Sequence, residues 1–109
     1  MASTKEYLDY VLDQLSELSD ISYRPMMGEY ILYYRGKVFG GIYDDRFLVK
    51  NVAAARKVMP EAHPELPYDG ATEMLSVTAT DDRALLSRLI TGMYDELPAG
   101  RKGKRKNNG

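Results

Sequence analysis

Residues 22–50 read SYRPMMGEYILYYRGKVFGGIYDDRFLVK, and this stretch decides the fold. Aromatic and β-branched residues, which favour strands, fill three short runs separated by turn-forming residues. Such sequential short strands predict an antiparallel meander. The predicted strands are residues 29–34, 37–43 and 46–50, with turns at Arg35-Gly36 and Asp44-Asp45. Another strand is predicted over residues 21–27, and because Pro25 cannot donate to a ladder, we expect it at an edge or a bulge.

The predicted strands lack the apolar–polar alternation of a sheet with one wet face. In one strand Tyr30 and Leu32 point to one face, while Ile31 and Tyr33 point to the other. We therefore expect both faces to be at least partly covered, by helices, by the C-terminal tail or by another subunit.

Helical patterns precede and follow the stretch of residues 22–50, which we call the ribbon. Residues 4–18 show apolar spacing typical of an amphipathic helix, with Ser3 and Glu6 at the spacing of a capping box. A second helix is predicted after Thr80, as its cap, with Asp81 and Asp82 in the first turn and a stop at Pro98. Its predicted apolar stripe consists of Leu85, Leu86, Leu89, Ile90, Met93 and Leu97.

The region between these parts predicts a short helix, a loop and a last strand, at residues 51–59, 60–70 and 73–78. The order of elements predicts an α+β fold. It consists of an antiparallel sheet of about four to five strands, with an N-terminal helix, a short middle helix and a C-terminal helix packed on it.

Charge separates the body of the chain from its end. The predicted domain, residues 1–98, is followed by a basic segment, residues 99–109, that has no core-forming residue and is predicted to be disordered. Outside the tail the chain has 10 basic and 16 acidic residues, which disfavours contact with nucleic-acid phosphates. The residues predicted to contact nucleic acid, weakly and without sequence specificity, are Arg101, Lys102, Lys104, Arg105 and Lys106. A solvated end that aids solubility explains the same composition.

Other features of the composition limit the chemistry. The 109 residues include no cysteine, which excludes disulfides, thiolate metal sites and cysteine nucleophiles. No apolar run is long enough to span a bilayer and the N-terminus does not resemble a signal peptide, so we expect a cytoplasmic protein with no membrane contact. The sequence predicts no cofactor.

No catalytic constellation stands out. His63 is the single histidine and lies in a proline-rich loop, which favours a loop role over a metal or triad role. Asp44-Asp45 and Asp81-Asp82 suit turns and helix starts better than a site with converging carboxylates. Gly40-Gly41 lies within a strand, so a bulge or the close approach of a helix or another chain is favoured over a phosphate loop.

The aromatic residues of the ribbon are the candidate contact surface. Tyrosine suits interfaces because it combines a large ring with a polar tip. The residues predicted to form a protein interface, or the core beneath it, are Tyr30, Tyr33, Tyr43 and Phe39. The predicted partner is a second copy of the chain or a regulatory protein.

The segments YRPMMGEY, YYRGKVF and IYDDRFLVK resemble the N-terminal domain of the TfoX/Sxy family. The resemblance covers about residues 4–97. Met27 and Glu29 stand where the family has a phenylalanine and a second glycine. The positions that carry the resemblance are Arg24, Gly28, Tyr30, Gly36, Lys37, Leu48 and Lys50.

The resemblance implies a secretion-chaperone-like α+β fold, no enzymatic activity, and a role like that of coactivators of competence genes that work with a DNA-binding regulator. We expect a single-domain member, without the second helical domain of the family's regulators. Three functional hypotheses follow: a cytoplasmic adaptor that acts through protein contacts, a nucleic-acid-associated protein that uses its tail, and a small-ligand binder or enzyme with a site near His63, Tyr68 and Asp69.

Overall fold

The computed structural model describes residues 2–99. The predicted tail contacts at residues 101–106 therefore lie outside the described residues. The elements are, in chain order, α1 (Lys5–Gln14), β1 (Ile21–Met26), β2 (Glu29–Tyr34), β3 (Lys37–Tyr43), β4 (Arg46–Lys50), α2 (Ala53–Val58), β5 (Pro64–Glu65), β6 (Met74–Ser76), α3 (Arg83–Met93) and a short 3₁₀ helix (Tyr94–Glu96).

Three two-residue turns join β1 to β4. The central residues are Met27-Gly28, Arg35-Gly36 and Asp44-Asp45, and all six have positive φ angles between 51° and 87°. This is the pattern of type I′ turns, whose twist matches that of the flanking strands. Because the turns set the strand ends, the predicted bounds of β2, β3 and β4 are confirmed at every residue.

The six strands form one antiparallel sheet in the order β1-β2-β3-β4-β6-β5. This confirms the predicted α+β class with more strands than the four to five expected. The additional strand, β5, lies in the predicted loop 60–70, where two residues that include Pro64 are too short to show a strand pattern. The strand that contains Pro25 lies at an edge, as predicted.

All three helices contribute to a core on one face of the sheet. The predicted apolar stripes of α1 and α3 are confirmed, since their residues are buried or pack against the core. The core residues from the helices and from the segments after α1 and the 3₁₀ helix are Leu8, Val11, Leu15, Ala55, Leu86, Leu89, Ile90, Met93 and Leu97. Those from the sheet and the residue after it are Leu32, Phe39, Ile42, Phe47, Val49, Leu75 and Val77.

The starts of two helices differ from prediction. Thr4, rather than Ser3, caps α1 by accepting a hydrogen bond from the Tyr7 amide at 3.1 Å. Asp82, rather than Thr80, caps α3 by accepting from the Leu85 amide at 3.0 Å. Each predicted cap was correct in type but misplaced, because the neighbouring polar residue also suits a helix start. Helix α1 also ends earlier than predicted, although Leu15 and Leu18 beyond it still pack against the core.

Gly40 and Gly41 lie where the strands come closest. A Cβ on Gly40 would collide with the backbone carbonyl of Leu48, and one on Gly41 would lie 2.7 Å from the carbonyl oxygen of Tyr30. The pairing between β2 and β3 also shifts at this point, leaving Phe39 without a partner. The predicted bulge is therefore present, and the close neighbours are strands of the same sheet rather than a helix or another chain.

Candidate protein interface

The four predicted contact residues occupy different environments. Phe39 is fully buried, with its ring 6.5 Å from that of Phe47, and Tyr43 is 5% exposed. Tyr30 and Tyr33 are half-buried. Phe39 and Tyr43 therefore belong to the interior of this chain, whereas Tyr30 and Tyr33 keep surface that a partner can reach. Their contact with a partner stays a prediction.

The second face of the sheet is covered in part by residues 66–73. Arg46 holds the start of this loop through hydrogen bonds to the Glu65 carboxylate at 2.8 Å and to the carbonyls of Leu66 and Pro67 at 3.2 and 3.3 Å. The ring of Tyr68 lies 6.2 Å from the ring of Tyr43. The expectation that both faces are covered is confirmed here, but the cover comes from a loop that we did not name among the candidates.

Tyr43 is a poor candidate for acid–base chemistry. Burial, followed by the proximity of Tyr68 and Glu29, raises its pKa to about 12. The phenol therefore keeps its proton at neutral pH. A general acid or base works best when its pKa lies near the working pH, so this environment favours a packing role.

The polar candidates also separate in space. His63 lines a hollow beside Ser76 and Leu85, whereas Tyr68 lines a different hollow beside Tyr43. Among residues 2–99 no three His, Cys, Asp or Glu side chains are grouped so as to hold a metal. Asp44 and Asp45 occupy a turn and Asp82 a helix cap, which confirms the local roles predicted for them.

The outer edge of β1 is open in the described fold. Every residue of this strand except Ile21 is exposed, and β1 pairs with β2 alone within residues 2–99. An edge strand presents unpaired backbone groups to which another chain can add. Along an antiparallel pair, successive residues direct their N–H and C=O groups alternately toward the partner strand and away from it. The register therefore decides which residues of β1 have unpaired backbone groups.

The register follows from a bond at one end of the hairpin, where the Arg35 amide donates to the Asp20 carbonyl at 2.9 Å. From this pair onward, hydrogen-bonded and non-hydrogen-bonded residue pairs alternate along the strand. Ser22, Arg24 and Met26 therefore turn their backbone groups toward β2, while Ile21, Tyr23 and Pro25 turn theirs outward. Pro25 lies at an outward position, where its missing N–H removes no bond from the existing sheet.

Exposed apolar side chains accompany this open edge. Met27 at the hairpin tip is 96% exposed, and Met26 and Tyr23 are 42% and 40% exposed. A hollow next to the strand, between β1 and the segment from Leu12 to Leu18, is lined by Leu12, Leu15, Leu18, Ile21 and Tyr23 among others. The edge thus combines free backbone groups with an apolar groove, which are the two features that an added strand uses.

The hairpin is held in place by a cluster that we call the N-terminal clamp, formed by Ser3, Thr4, Glu29, Asp44 and Asp45. Glu29 accepts from the Ser3 hydroxyl at 2.6 Å, from the Ser3 amide at 3.2 Å and from the Asp44 amide at 3.1 Å. Asp45 accepts from the Thr4 amide at 2.8 Å. The clamp joins the start of the chain to two strand ends, so the edge is presented by a fixed framework.

The sequence contains a single cue to the edge, which is Pro25. It did not reveal the exposure of Met27, or that the backbone N–H and C=O groups of Tyr23 point away from β2, since both depend on the register of the hairpin. Glu29 was noted as a departure from the family pattern, but its role in the clamp requires contacts with residues far away in the chain. The Glu29 carboxylate accepts three hydrogen bonds.

Comparison with known proteins agrees with the resemblance seen in the sequence. The family model described as TfoX N-terminal domain matches residues 13–95. The chain is 34% identical, over 73 residues, to the "Uncharacterized 12.7 kDa protein in trpE 5′region" of Spirochaeta aurantia. That match covers 67% of this chain and 64% of the relative's length. No solved structure is significantly similar to the chain. Among residues 2–99, no helix has the length and apolar character required to cross a bilayer.

Proposed function

The chain belongs to the TfoX N-terminal domain family, and from this premise we infer that it is a small cytoplasmic regulatory domain that acts through protein contacts rather than catalysis. The observation that carries the proposal is the open edge of β1 with its exposed methionines and apolar groove. The hydrogen bonds of the N-terminal clamp hold that edge, and the family resemblance supports a role in gene regulation like that of the competence coactivators.

The proposal assigns the contact to the β1 end of the molecule, so one substitution there tests it. Met27→Asn removes the most exposed apolar side chain and suits the turn, because asparagine followed by glycine is a favoured type I′ sequence. The variant therefore keeps the fold while changing the surface. Leu66→Asn is the matched control, since Leu66 is 44% exposed and lies beyond β5, at the opposite edge of the sheet.

The measurement is recovery of bound proteins from an extract of the native cell on immobilised chain, with circular dichroism to verify folding. We expect wild type and Leu66→Asn to retain the same specific regulatory protein, and Met27→Asn to lose it. Equal retention by both variants contradicts an interface at β1. Turnover of a metabolite by the purified chain contradicts the non-enzymatic role.

A second candidate function uses the C-terminal tail to contact nucleic acid. It is favoured by the five basic residues among the last nine, next to a body with net charge −6. Charge attraction of this kind is independent of sequence and sensitive to salt.

A further inference from the structure

The geometry points to a second copy of this chain as the occupant of the β1 edge. We propose that two copies pair their β1 strands antiparallel around Tyr23 and so join their two six-stranded sheets into one. The inference deepens the proposed function by naming the partner of that surface. It rests on the proposed function for its biological use, but not for its geometry.

The outward-facing backbone groups restrict the pairing to a few registers. The edge offers two donors, the amides of Ile21 and Tyr23, because Pro25 has none. With Tyr23 opposite Tyr23 of the second copy, the two tyrosines exchange N–H···O bonds, and each Ile21 amide donates to the Pro25 carbonyl of the other copy. Every outward donor of the edge is then satisfied, and the strands overlap over residues 21–25.

In two neighbouring registers the outward N–H and C=O groups of one β1 strand also face those of the other, but these registers fit less well. Placing Ser22 opposite Ser22 reduces the overlap within the strands to residues 21–23. Placing Arg24 opposite Arg24 brings like charges together, which is unfavourable in a cross-strand pair. The register centred on Tyr23 avoids both costs.

Charge complementarity favours the same pairing. Arg24 is the single charged residue of β1, and within residues 2–99 it belongs to no ion pair. In the register centred on Tyr23, Arg24 lies opposite Ser22 of the second copy, and its two diagonal neighbours there are Asp20 on one side and Arg24 on the other, so the side chain can turn toward the carboxylate and away from the like charge. Diagonal neighbours are within reach of a long side chain. The two-fold symmetry creates this Arg24–Asp20 contact twice.

The apolar groove supports the pairing as well. Ile21 and Tyr23 lie on the helix side of the sheet, opposite Tyr34 and Leu32 of β2. In the proposed register Pro25 of the second copy lies opposite Ile21, and the two Tyr23 residues lie side by side. These apolar groups therefore meet next to the hollow lined by Leu12 and Leu15.

The pairing also closes on itself. A two-fold contact uses the same edge on both copies, so no β1 edge is left over to recruit a third chain. The opposite edge of the sheet is β5, which has two residues and begins with Pro64. A short edge with a proline resists further pairing. The expected product is a dimer rather than a fibre.

A cysteine scan reads the register directly, because the natural chain has no cysteine. Tyr23→Cys places two thiols across a hydrogen-bonded pair, about 5.5 Å apart at Cα, which a disulfide can bridge. Ser22→Cys and Arg24→Cys are controls on the same exposed strand. In the proposed register their Cα atoms lie roughly 8 Å from their symmetry mates, too far for a bridge.

Under mild oxidation of the full-length variants, we expect a cross-linked dimer of Tyr23→Cys and little of the other two. A dominant bridge at position 22 or 24, or equal bridging at all three, overturns the proposed register. Sedimentation velocity of the wild-type chain over a concentration series supplies the reference. A wild-type chain that stays monomeric throughout overturns the dimer itself.

Charge exchange provides an independent measurement. Arg24→Asp creates acid–acid contacts between identical copies, and Asp20→Lys creates contacts between cations. Each variant alone is expected to dimerise at least roughly threefold more weakly than wild type, as for exposed ion pairs. A mixture of the two variants restores complementary pairs at both contacts. We expect the mixture to recover the wild-type affinity, and a mixture no tighter than either variant alone overturns the pairing.

These outcomes separate this inference from the proposed function. A monomeric wild-type chain that still loses a specific regulatory protein on Met27→Asn refutes self-pairing and leaves the contact role in place. A dimer with the predicted cross-link, in a chain that retains no other protein, supports self-pairing and restricts the proposed contact to a second copy.

Discussion

Ser3 donates its hydroxyl to the carboxylate of Glu29 at 2.6 Å, which joins the residue before the cap of α1 to the first residue of β2. The same carboxylate oxygen also accepts from the Asp44 amide. One side chain thus connects the N-terminus with the turns on either side of the β2–β3 hairpin. The open β1 edge lies next to this connection, because Met26 pairs with Glu29.

Glu29→Ala tests the clamp. The substitution leaves the Ser3 hydroxyl and the Asp44 amide without their acceptor, and hydrogen bonds to charged groups contribute about 1.5–3 kcal/mol. We expect the free energy of unfolding, measured by urea titration, to fall by about 1–3 kcal/mol. Glu17→Ala is the control, because Glu17 is exposed and makes no side-chain hydrogen bond within residues 2–99. Equal losses in the two variants contradict a role for the clamp.

Gly40→Ala tests the close approach of β3 and β4. The added Cβ meets the Leu48 carbonyl, which belongs to the backbone of a central strand and has little room to move. We expect a loss of about 1–3 kcal/mol in the free energy of unfolding, as for other overpacked sites. Gly92→Ala is the matched control, because a Cβ there meets open space on helix α3. It is expected to stabilise by about 0.5–1 kcal/mol.

The opposite signs expected at these two glycines make the comparison decisive. Thermal unfolding followed by circular dichroism measures both variants under the same conditions. A Gly40→Ala variant as stable as wild type shows that β3 and β4 can separate at this point. The same result means that the packing of β3 against β4 does not require a glycine at position 40.

The strands and the apolar faces of the helices followed from the sequence because their signals are local. Tight turns fix the ends of β2, β3 and β4, and the spacing of Leu8, Val11 and Leu15 identifies the buried face of α1. The caps were misplaced, since Ser3 and Thr4 are both good cap residues and a tertiary bond to Glu29 decides between them.

The candidate site was harder to predict because it depends on register and on distant contacts. Tyr43 and Tyr33 look alike in the sequence, yet the loop held by Arg46 covers Tyr43. The backbone groups of Tyr23 point away from β2 because hydrogen-bonded and non-hydrogen-bonded pairs alternate from the Asp20–Arg35 bond onward. A pattern of residue types along one strand does not contain this information.

Because the pKa of Tyr43 is raised, we expect the folded chain to lose stability at high pH. Its pKa is about 12 in the folded chain and close to the ordinary value of 10.0 in the unfolded chain. Both states keep the proton below pH 10, so the contribution is fully present there. As the pH rises from 10 to 12 the unfolded state ionises first, and the free energy of unfolding falls by roughly 2 kcal/mol from this group.

Urea titrations at a series of alkaline pH values measure this loss. Tyr43→Phe removes the ionisable group, so its stability is expected to fall less steeply over the same pH range. Tyr23→Phe is the control, because it also removes one phenol hydroxyl, but from a side chain that is 40% exposed. An unchanged pH dependence in Tyr43→Phe contradicts the assignment.

The C-terminal tail provides the test of nucleic-acid binding. Five phosphate contacts predict a slope of about −4 to −5 in a plot of log affinity against log salt concentration on duplex DNA. Fluorescence anisotropy with labelled duplexes of two unrelated sequences measures the slope and should give equal affinities. Replacing Arg101, Lys102, Lys104, Arg105 and Lys106 with glutamine, or deleting residues 99–109, is expected to abolish binding. The acidic body repels phosphates, so a neutralised chain that binds as tightly as wild type refutes the tail as the contact.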